Sequence, residues 1–171
     1  QFASLKLKDA ICDRFRKFHN DKRPDVNTDK PDILFNLHIN KNNVTISMDS
    51  SGTSLHQRGN RVEQTIAPIN EVLAAGLILM SKWDRKSHFV DAMCGSGTIV
   101  IEAASLAINK APNLDRSYFC FKNWKNYDKT LYNDICTELE LKISDFEFKI
   151  IGSDNNKKSV SISENNVKKA G

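Results

Sequence analysis

Two glycines and two acidic residues have a spacing typical of a small-molecule site. The segment FVDAMCGSGTIVIEAASLAI, residues 89–108, contains a strand pattern ending at Asp91, a turn with Gly95 and Gly97, and an apolar helix pattern. Backbone N–H groups of such a turn can approach a ligand closely because glycine has no Cβ, and open α/β sheets bind ligands at the carboxyl ends of their strands. A second strand pattern, FEFKIIGSD, ends at Asp154. The sequence therefore predicts a ligand site with an acid at each of two strand ends.

Three classes of ligand use turns of this kind. A phosphate-binding P-loop needs a lysine directly after its second glycine, but the first lysine after Gly97 is Lys110. A dinucleotide fingerprint needs glycine or alanine at position 100, so Val100 disfavours an NAD-dependent oxidoreductase. A nucleoside with a charged tail remains, because Asp91 can face an ammonium group and Asp154 can accept hydrogen bonds from both ribose hydroxyls. S-adenosylmethionine fits this pattern, although each acid could instead be an ordinary turn or helix N-terminal carboxylate.

The elements around the turn predict an α/β unit. APINEVLAAGLILMSKW, residues 67–83, predicts a mostly buried helix with Pro68 in its first turn, and residues 98–109 predict a second buried helix. Residues 110–145 lack clean periodicity and predict an insertion with a helix at 128–141. A final helix follows Asp154, with an inner face of Val160, Ser163, Val167 and Ala170. This order is typical of the first half of a doubly wound parallel sheet.

The first 50 residues predict a separate α+β fragment. Residues 4–18 have the apolar spacing of an amphipathic helix. DILFNLHI and NVTISMD alternate apolar and polar residues on either side of NKNN, which predicts a β-hairpin with one buried face. The polar segment that follows predicts a linker with His56, Arg58 and Arg61 clustered in it. A helix and a hairpin are too small to form a core alone.

Composition excludes several classes of protein. The chain has 171 residues and a net charge of +4, which suffices for a buried core and is compatible with a polyanionic partner such as RNA. Its four cysteines are far apart, which predicts neither a zinc site nor a disulfide framework. No apolar run approaches the roughly 20 residues that cross a membrane. We therefore expect a cytoplasmic protein without a metal site or a membrane partner.

Four motifs, taken together, resemble one known family. SLHQRGNR, APINEVLAAGLILMSKW, DAMCGSGTIVIEAA and APNLDRSYFCFKNW occur in this order, and they are similar to the THUMP-domain RNA guanine-N2 methyltransferases, especially those that modify large-subunit (23S) ribosomal RNA. The resemblance implies S-adenosylmethionine as the cofactor and RNA as the partner. It also implies that residues 1–54 are the C-terminal part of a THUMP RNA-binding module, 55–66 a linker, and 67–171 the N-terminal half of a Rossmann-like class I methyltransferase domain.

The resemblance also implies which residues form the sites. The cofactor-binding residues would be Asp91, Cys94, Gly95, Ser96, Gly97, Thr98, Asp154 and Asn155, with Asn155 against the adenine. We expect Cys94 to be a packing residue rather than a nucleophile, because nothing nearby would lower its pKa. In the linker, His56, Arg58 and Arg61 could contact RNA phosphates, or could belong to a hydrogen-bonded interdomain loop.

One departure from the family limits the expected activity. The family holds the acceptor amine with an Asn/Asp-Pro-Pro-aromatic turn after its fourth strand, whereas the prolines here stand singly at 24, 31, 68 and 112. We therefore expect a fragment truncated at both ends, without catalytic residues of its own, that does not methylate RNA alone. A half-complete sheet also predicts an exposed edge, with self-association or partial disorder near the C-terminus. The same chemistry on transfer RNA, or a noncatalytic RNA-binding fragment, remain alternatives.

Overall fold

The computed structural model describes residues 2–27, 31–64 and 67–171, which form two compact units. The first unit comprises Gln1–Gly52 and Tyr118–Tyr127, and the second comprises Thr53–Ser117 and Asp128–Gly171. Positions 1, 28–30, 65 and 66 of the predicted THUMP fragment and linker lie outside the described residues. The remaining predicted linker residues fall in the second unit. The domain boundaries at 54 and 66 stay a prediction.

The first unit contains the predicted helix and hairpin. Helix α1 spans Phe2–Phe18, and strands β1 (Leu34–Asn40) and β2 (Asn43–Asp49) pair antiparallel across a two-residue turn. The cross-strand pairs on the apolar face are Phe35 with Met48, Leu37 with Ile46, and Ile39 with Val44. The hairpin prediction is confirmed, but its buried face is wrong for this unit, since these side chains are half-buried or exposed. Helix α1 buries only Cys12, so it does not cover that face.

The aromatic part of the predicted insertion belongs to the first unit. The Tyr118 hydroxyl donates to the backbone oxygen of Pro31 at 2.8 Å, and the Phe121 N–H donates to that of Ser50 at 3.0 Å. Phe121 belongs to a short 3₁₀ helix, Cys120–Asn123. The insertion therefore returns the chain to the end of the hairpin before the second unit resumes.

The second unit has the α/β order that the sequence predicts. Strands β3 (Phe89–Asp91) and β4 (Ile150–Gly152) pair in parallel, with Asp91 opposite Gly152 at their carboxyl ends. Among the described helices, none is both long and apolar enough to cross a bilayer. The elements of this unit are α2 (Glu71–Met80), β3 (Phe89–Asp91), α3 (Thr98–Ala107), α4 (Lys129–Leu141), β4 (Ile150–Gly152) and α5 (Lys157–Ala170).

Helix α2 differs from its prediction in start and burial. It begins at Glu71 rather than near Pro68, because the side chain of Asn70 accepts hydrogen bonds from the backbone N–H groups of two residues in the first turn. Only Ala74 and Ile78 are buried in it. The expectation of a mostly buried helix is therefore wrong within this chain.

Helix α5 buries a more polar face than the sequence predicts. Its buried residues are Ser159, Ile162, Ser163 and Asn166, whereas Val167, placed on the inner face, is 42% exposed. The buried face lies against the glycine turn, and a Cβ at Gly97 would overlap the Ser163 hydroxyl. Such a close approach favours small and hydrogen-bonding side chains over the apolar residues that periodicity selects.

Candidate functional site

The glycine turn lies at the carboxyl ends of the two parallel strands. Asp91 is the last residue of β3, and Asp154 follows the end of β4 by two residues. One carboxylate oxygen of Asp154, Oδ2, accepts a hydrogen bond from the Gly95 N–H at 3.0 Å, and the other accepts from the Asn156 N–H at 2.9 Å. The structure therefore brings the second acid directly against the turn that follows the first.

Both turn glycines adopt positive φ angles. Gly95 has φ 54° and Gly97 has φ 82°, which glycine adopts without the steric cost that other residues incur. Gly97 is the N-cap of α3, so that helix begins without a capping side chain. The positive end of the α3 dipole and its first N–H groups therefore face the same edge of the sheet as the two acids.

The thiol of Cys94 reports the electrostatics of the turn. Its side chain is buried, and this burial raises the pKa of the Cys94 thiol. The charges of Asp91 and Asp154 raise it further, whereas a hydrogen bond with Ser163 lowers it. The thiol therefore stays protonated at neutral pH, as a packing residue rather than a nucleophile would. The carboxylates of Asp91 and Asp154 are therefore both close enough to Cys94 to affect its thiol.

The remaining predicted cofactor residues divide into buried and exposed ones. Ser96 and Thr98 are buried, the Ser96 carbonyl accepts from Asn166 Nδ2 at 2.9 Å, and the Thr98 hydroxyl accepts from Arg61 at 3.2 Å. Asn155, in contrast, is exposed beside the second acid. The structure thus gathers these residues at one strand end, but the side chains of Ser96 and Thr98 contact the protein interior.

The predicted RNA-contacting residues have intramolecular partners. Arg58 Nε lies 2.7 Å from Glu102 Oε1, and the two side chains are 13% and 6% exposed. Arg61 lies 3.1 Å from the carboxylate of Glu71, and His56 shares a 2.7 Å hydrogen bond with a neighbouring serine. These contacts agree with the hydrogen-bonded loop that the sequence left open as an alternative. Contact of the three residues with RNA stays a prediction.

One cavity in the described part of the second unit borders the interior side of the glycine turn, and another lies near the opposite end of β4. The cavity at the turn has a volume of about 20 Å³, so it is too small for a nucleoside. Its lining includes Arg58, Arg61, Ser96, Thr98, Glu102 and Asn166. The other, of about 380 Å³, is mostly apolar and borders Ile150, where β4 begins. The candidate site is therefore the open surface formed by the turn and the two acids.

Sequence reasoning missed Gly152 and Asn166. A Cβ at Gly152 would lie 2.8 Å from Val100 Cγ2 and 3.2 Å from Cys94. The absence of a side chain at this position of β4 therefore leaves room for Val100, the residue that disfavours a dinucleotide site. Asn166 is 1% exposed, although asparagine is a poor helix former. The sequence contained a signal for each residue. A glycine inside a strand pattern indicates close approach of other atoms, and an asparagine inside a helix pattern indicates side-chain hydrogen bonds.

Two family models match the chain. An RMKL-like methyltransferase domain matches residues 58–171, and a THUMP domain matches residues 1–49. A ribosomal RNA large subunit methyltransferase K/L of Psychromonas ingrahamii is 43% identical over the whole chain, which spans 23% of that relative.

Solved structures give the same fold. SMU.472, described as a candidate methyltransferase and solved with SAH, superimposes with a TM-score of 0.83 at 32% identity. A protein of Listeria monocytogenes, described as a predicted N6-adenine-specific DNA methylase, gives a TM-score of 0.84 at 35% identity. These matches cover 98% and 96% of this chain but 44% and 43% of the solved chains. The chain thus spans less than half of these structures and about a quarter of the curated relative.

Proposed function

Because the chain belongs to the RMKL-like methyltransferase family, with THUMP-domain residues at its N-terminus, we propose that its glycine turn binds S-adenosylmethionine for methylation of a guanine N2 amine in large-subunit ribosomal RNA. One observation carries the proposal. Asp91 and Asp154 stand at the carboxyl ends of two paired parallel strands, with the Gly95–Gly97 turn between them in sequence and against the second acid in space.

The geometry of the turn fits this cofactor. A carboxylate has about four lone-pair sites, and the backbone N–H groups of Gly95 and Asn156 occupy two of those on Asp154. The remaining sites can accept hydrogen bonds from two ribose hydroxyls. The negative charges of Asp91 and Asp154 favour a ligand with ammonium and sulfonium cations, and the uncapped start of α3 favours a carboxylate. SMU.472, solved with SAH, has the same fold.

Each residue then has a defined task. Asp154 would bind the ribose, Asp91 would face the ammonium group, and exposed Asn155 would lie against the adenine. Gly95 and Gly97 give the backbone its close approach, while Cys94, Ser96 and Thr98 support the turn from the interior. When bound, S-adenosylmethionine supplies an electrophilic methyl group. The residues of this chain orient that group but do not hold the acceptor amine.

The RNA half of the proposal rests on the THUMP match and on the name of the curated relative. We place the substrate in 23S ribosomal RNA and the activity in the cytoplasm. Transfer RNA as substrate, or a noncatalytic RNA-binding role, would be the alternatives. Since no Asn/Asp-Pro-Pro-aromatic turn occurs among the 171 residues, the chain alone should transfer no methyl group.

Self-association through the edges of the β3–β4 sheet remains part of the proposal, and sedimentation velocity would test it.

Isothermal titration with S-adenosylmethionine and with SAH tests the cofactor site. We expect both to bind, and we expect Asp154→Asn to weaken SAH by about 10- to 100-fold, because hydrogen bonds to a charged group contribute about 1.5–3 kcal/mol. Asp134→Asn, on the exposed surface of α4, is the matched control and should leave the affinity unchanged. The absence of binding heat with both ligands would favour the noncatalytic RNA-binding alternative.

A further inference from the structure

Five buried or half-buried polar side chains connect the segment before α2 to the glycine turn. We call them the turn brace: Arg58, Arg61, Glu71, Glu102 and Asn166. Their four charges form two ion pairs, Arg58 with Glu102 at 2.7 Å and Arg61 with Glu71 at 3.1 Å. The brace is therefore neutral in total and has little net charge to offer a polyanion.

Arg61 joins the starts of two helices. Its Nη2 atom donates to the backbone oxygen of Ile69, just before α2, at 2.8 Å, and to the hydroxyl of Thr98, the first residue of α3, at 3.2 Å. The same guanidinium pairs with Glu71 in the first turn of α2. Since α3 begins where the glycine turn ends, Arg61 contacts the residue that directly follows the turn.

Asn166 joins α5 to the middle of the turn. Its Nδ2 donates to the carbonyls of Ser96 and Glu63, both at 2.9 Å, and its Oδ1 accepts from the N–H groups of Val62 at 2.8 Å and Glu63 at 3.2 Å. These four bonds use the full capacity of the amide. An asparagine amide is the side chain that can donate and accept in this pattern at once, since an aspartate could only accept.

The brace has the properties of a positioning device rather than of a ligand site. The cavity it encloses is about 20 Å³. The side chains of Arg58 and Arg61 are only 13% and 24% exposed, so an RNA phosphate could reach little of either guanidinium. Buried ion pairs add little stability compared with apolar packing, and their best-supported use is to select one arrangement over others.

We propose that Arg61 and Asn166 are positioning residues for the cofactor turn. They hold Thr98 and Ser96 from the interior side, and so keep Gly95 in hydrogen-bond contact with Asp154. This inference rests on the proposed function, because the turn has to bind a cofactor for its position to matter.

Alkylation of Cys94 measures the position of the turn without any ligand. Cys94 is buried, at 7% exposure of the residue. Iodoacetamide labelling of its thiol, resolved by mass spectrometry at urea concentrations well below unfolding, therefore measures local opening. We expect Arg61→Gln and Asn166→Ala to accelerate labelling by about tenfold or more, because each removes several buried hydrogen bonds. Arg61→Lys should restore part of the protection, since it keeps a cation beside Glu71. Asn165→Ala, an exposed neighbour on α5, should leave the rate unchanged.

Titration of the same variants with SAH separates the inference from the proposed function. If the wild-type chain binds SAH and the Arg61→Lys chain binds it about tenfold more weakly, with folding retained by circular dichroism, the positioning role is supported. If folded variants of Arg61 and Asn166 keep both Cys94 protection and SAH affinity, the inference is wrong. If they lose only affinity for a 23S ribosomal RNA transcript, these residues contact RNA instead. If the wild-type chain binds no SAH but the variants of Arg61 and Asn166 lose Cys94 protection, the proposed function is wrong. The positioning of the turn by the brace is then still supported.

Discussion

Packing between Gly152 and Val100 gives a quantitative test of how α3 lies on the sheet. A methyl group at position 152 would come within 2.8 Å of Val100 Cγ2 and 3.2 Å of the Cys94 side chain. Overpacking of this kind costs about 1–3 kcal/mol, and the reduced freedom of the unfolded chain offsets about 0.4–1 kcal/mol of it. We therefore expect Gly152→Ala to lower the free energy of unfolding of the second unit by about 1–2 kcal/mol.

A double-mutant cycle identifies the contact responsible. Val100→Ala alone should cost about 1.5–3 kcal/mol, because it removes two buried methyl groups and leaves a cavity. In the double variant, the new methyl group at 152 occupies part of that cavity. The two substitutions should therefore cost less together than the sum of their separate costs, by about 1–2 kcal/mol.

Tryptophan fluorescence in urea measures these free energies for one unit at a time. Trp83 lies in the second unit, 4.9 Å from the ring of Phe89, and Trp124 lies in the first, so a Trp124→Phe background makes the signal specific. Gly76→Ala on α2 is the matched control, since nothing lies within 4 Å of the added methyl group, and it should stabilise by about 0.5–1 kcal/mol. Neutral behaviour of Gly152→Ala, or strict additivity with Val100→Ala, would refute this account of the packing.

Two further predictions concern the buried carboxyl group of Glu102 and the crowded position of Gly52. Burial raises the pKa of Glu102 above its ordinary value of 4.5, more than Arg58 lowers it, so this carboxyl ionises at a higher pH in the folded state than in the unfolded chain. The resulting contribution to stability is complete below pH 4.5 and is lost as pH rises through the raised pKa. The wild type should therefore lose stability relative to Glu102→Gln as the pH rises above 4.5, and a flat or rising difference in urea titrations would contradict this. Gly52→Ala should destabilise the first unit by about 2 kcal/mol more than Gly59→Ala destabilises the second. Both glycines have φ near 84°, so the backbone strain is similar. Only the methyl group at 52 would meet other atoms, Cys120 Sγ at 2.8 Å and Tyr118 at 2.9 Å. Equal costs, measured from the fluorescence of each unit's own tryptophan, would contradict this second prediction.

The sequence predicts the elements of the fold better than their burial. Strand β3, the glycine turn and α3 are identified because apolar periodicity and glycine spacing are local properties. The exposed side chains of α2 and the hairpin could not be predicted in this way, because burial depends on which other elements lie nearby. The polar inner face of α5 was missed for a related reason, since Asn166 is buried by its hydrogen bonds and not by apolar character.

The candidate site shows the same division. Asp91 and Asp154 could be predicted to lie at the ends of two strands because each closes a strand pattern, and the structure places Asp154 against the turn. The partners of Arg58 and Arg61 could not be predicted, because Glu102 is 44 positions from Arg58 along the chain and nothing in sequence links them. From sequence alone, a charged residue in a polar loop is expected to be free to bind RNA. Its long-range ion pair within the protein becomes known only from the structure.

A crystal structure of the chain with SAH would show whether the glycine turn binds the cofactor. We expect both ribose hydroxyls within hydrogen-bond distance of the Asp154 carboxylate, with the amino-acid tail beside Asp91 and the Gly95–Gly97 backbone. SAH bound in the apolar cavity beside Ile150, or at the turn with its ribose directed away from Asp154, would contradict it.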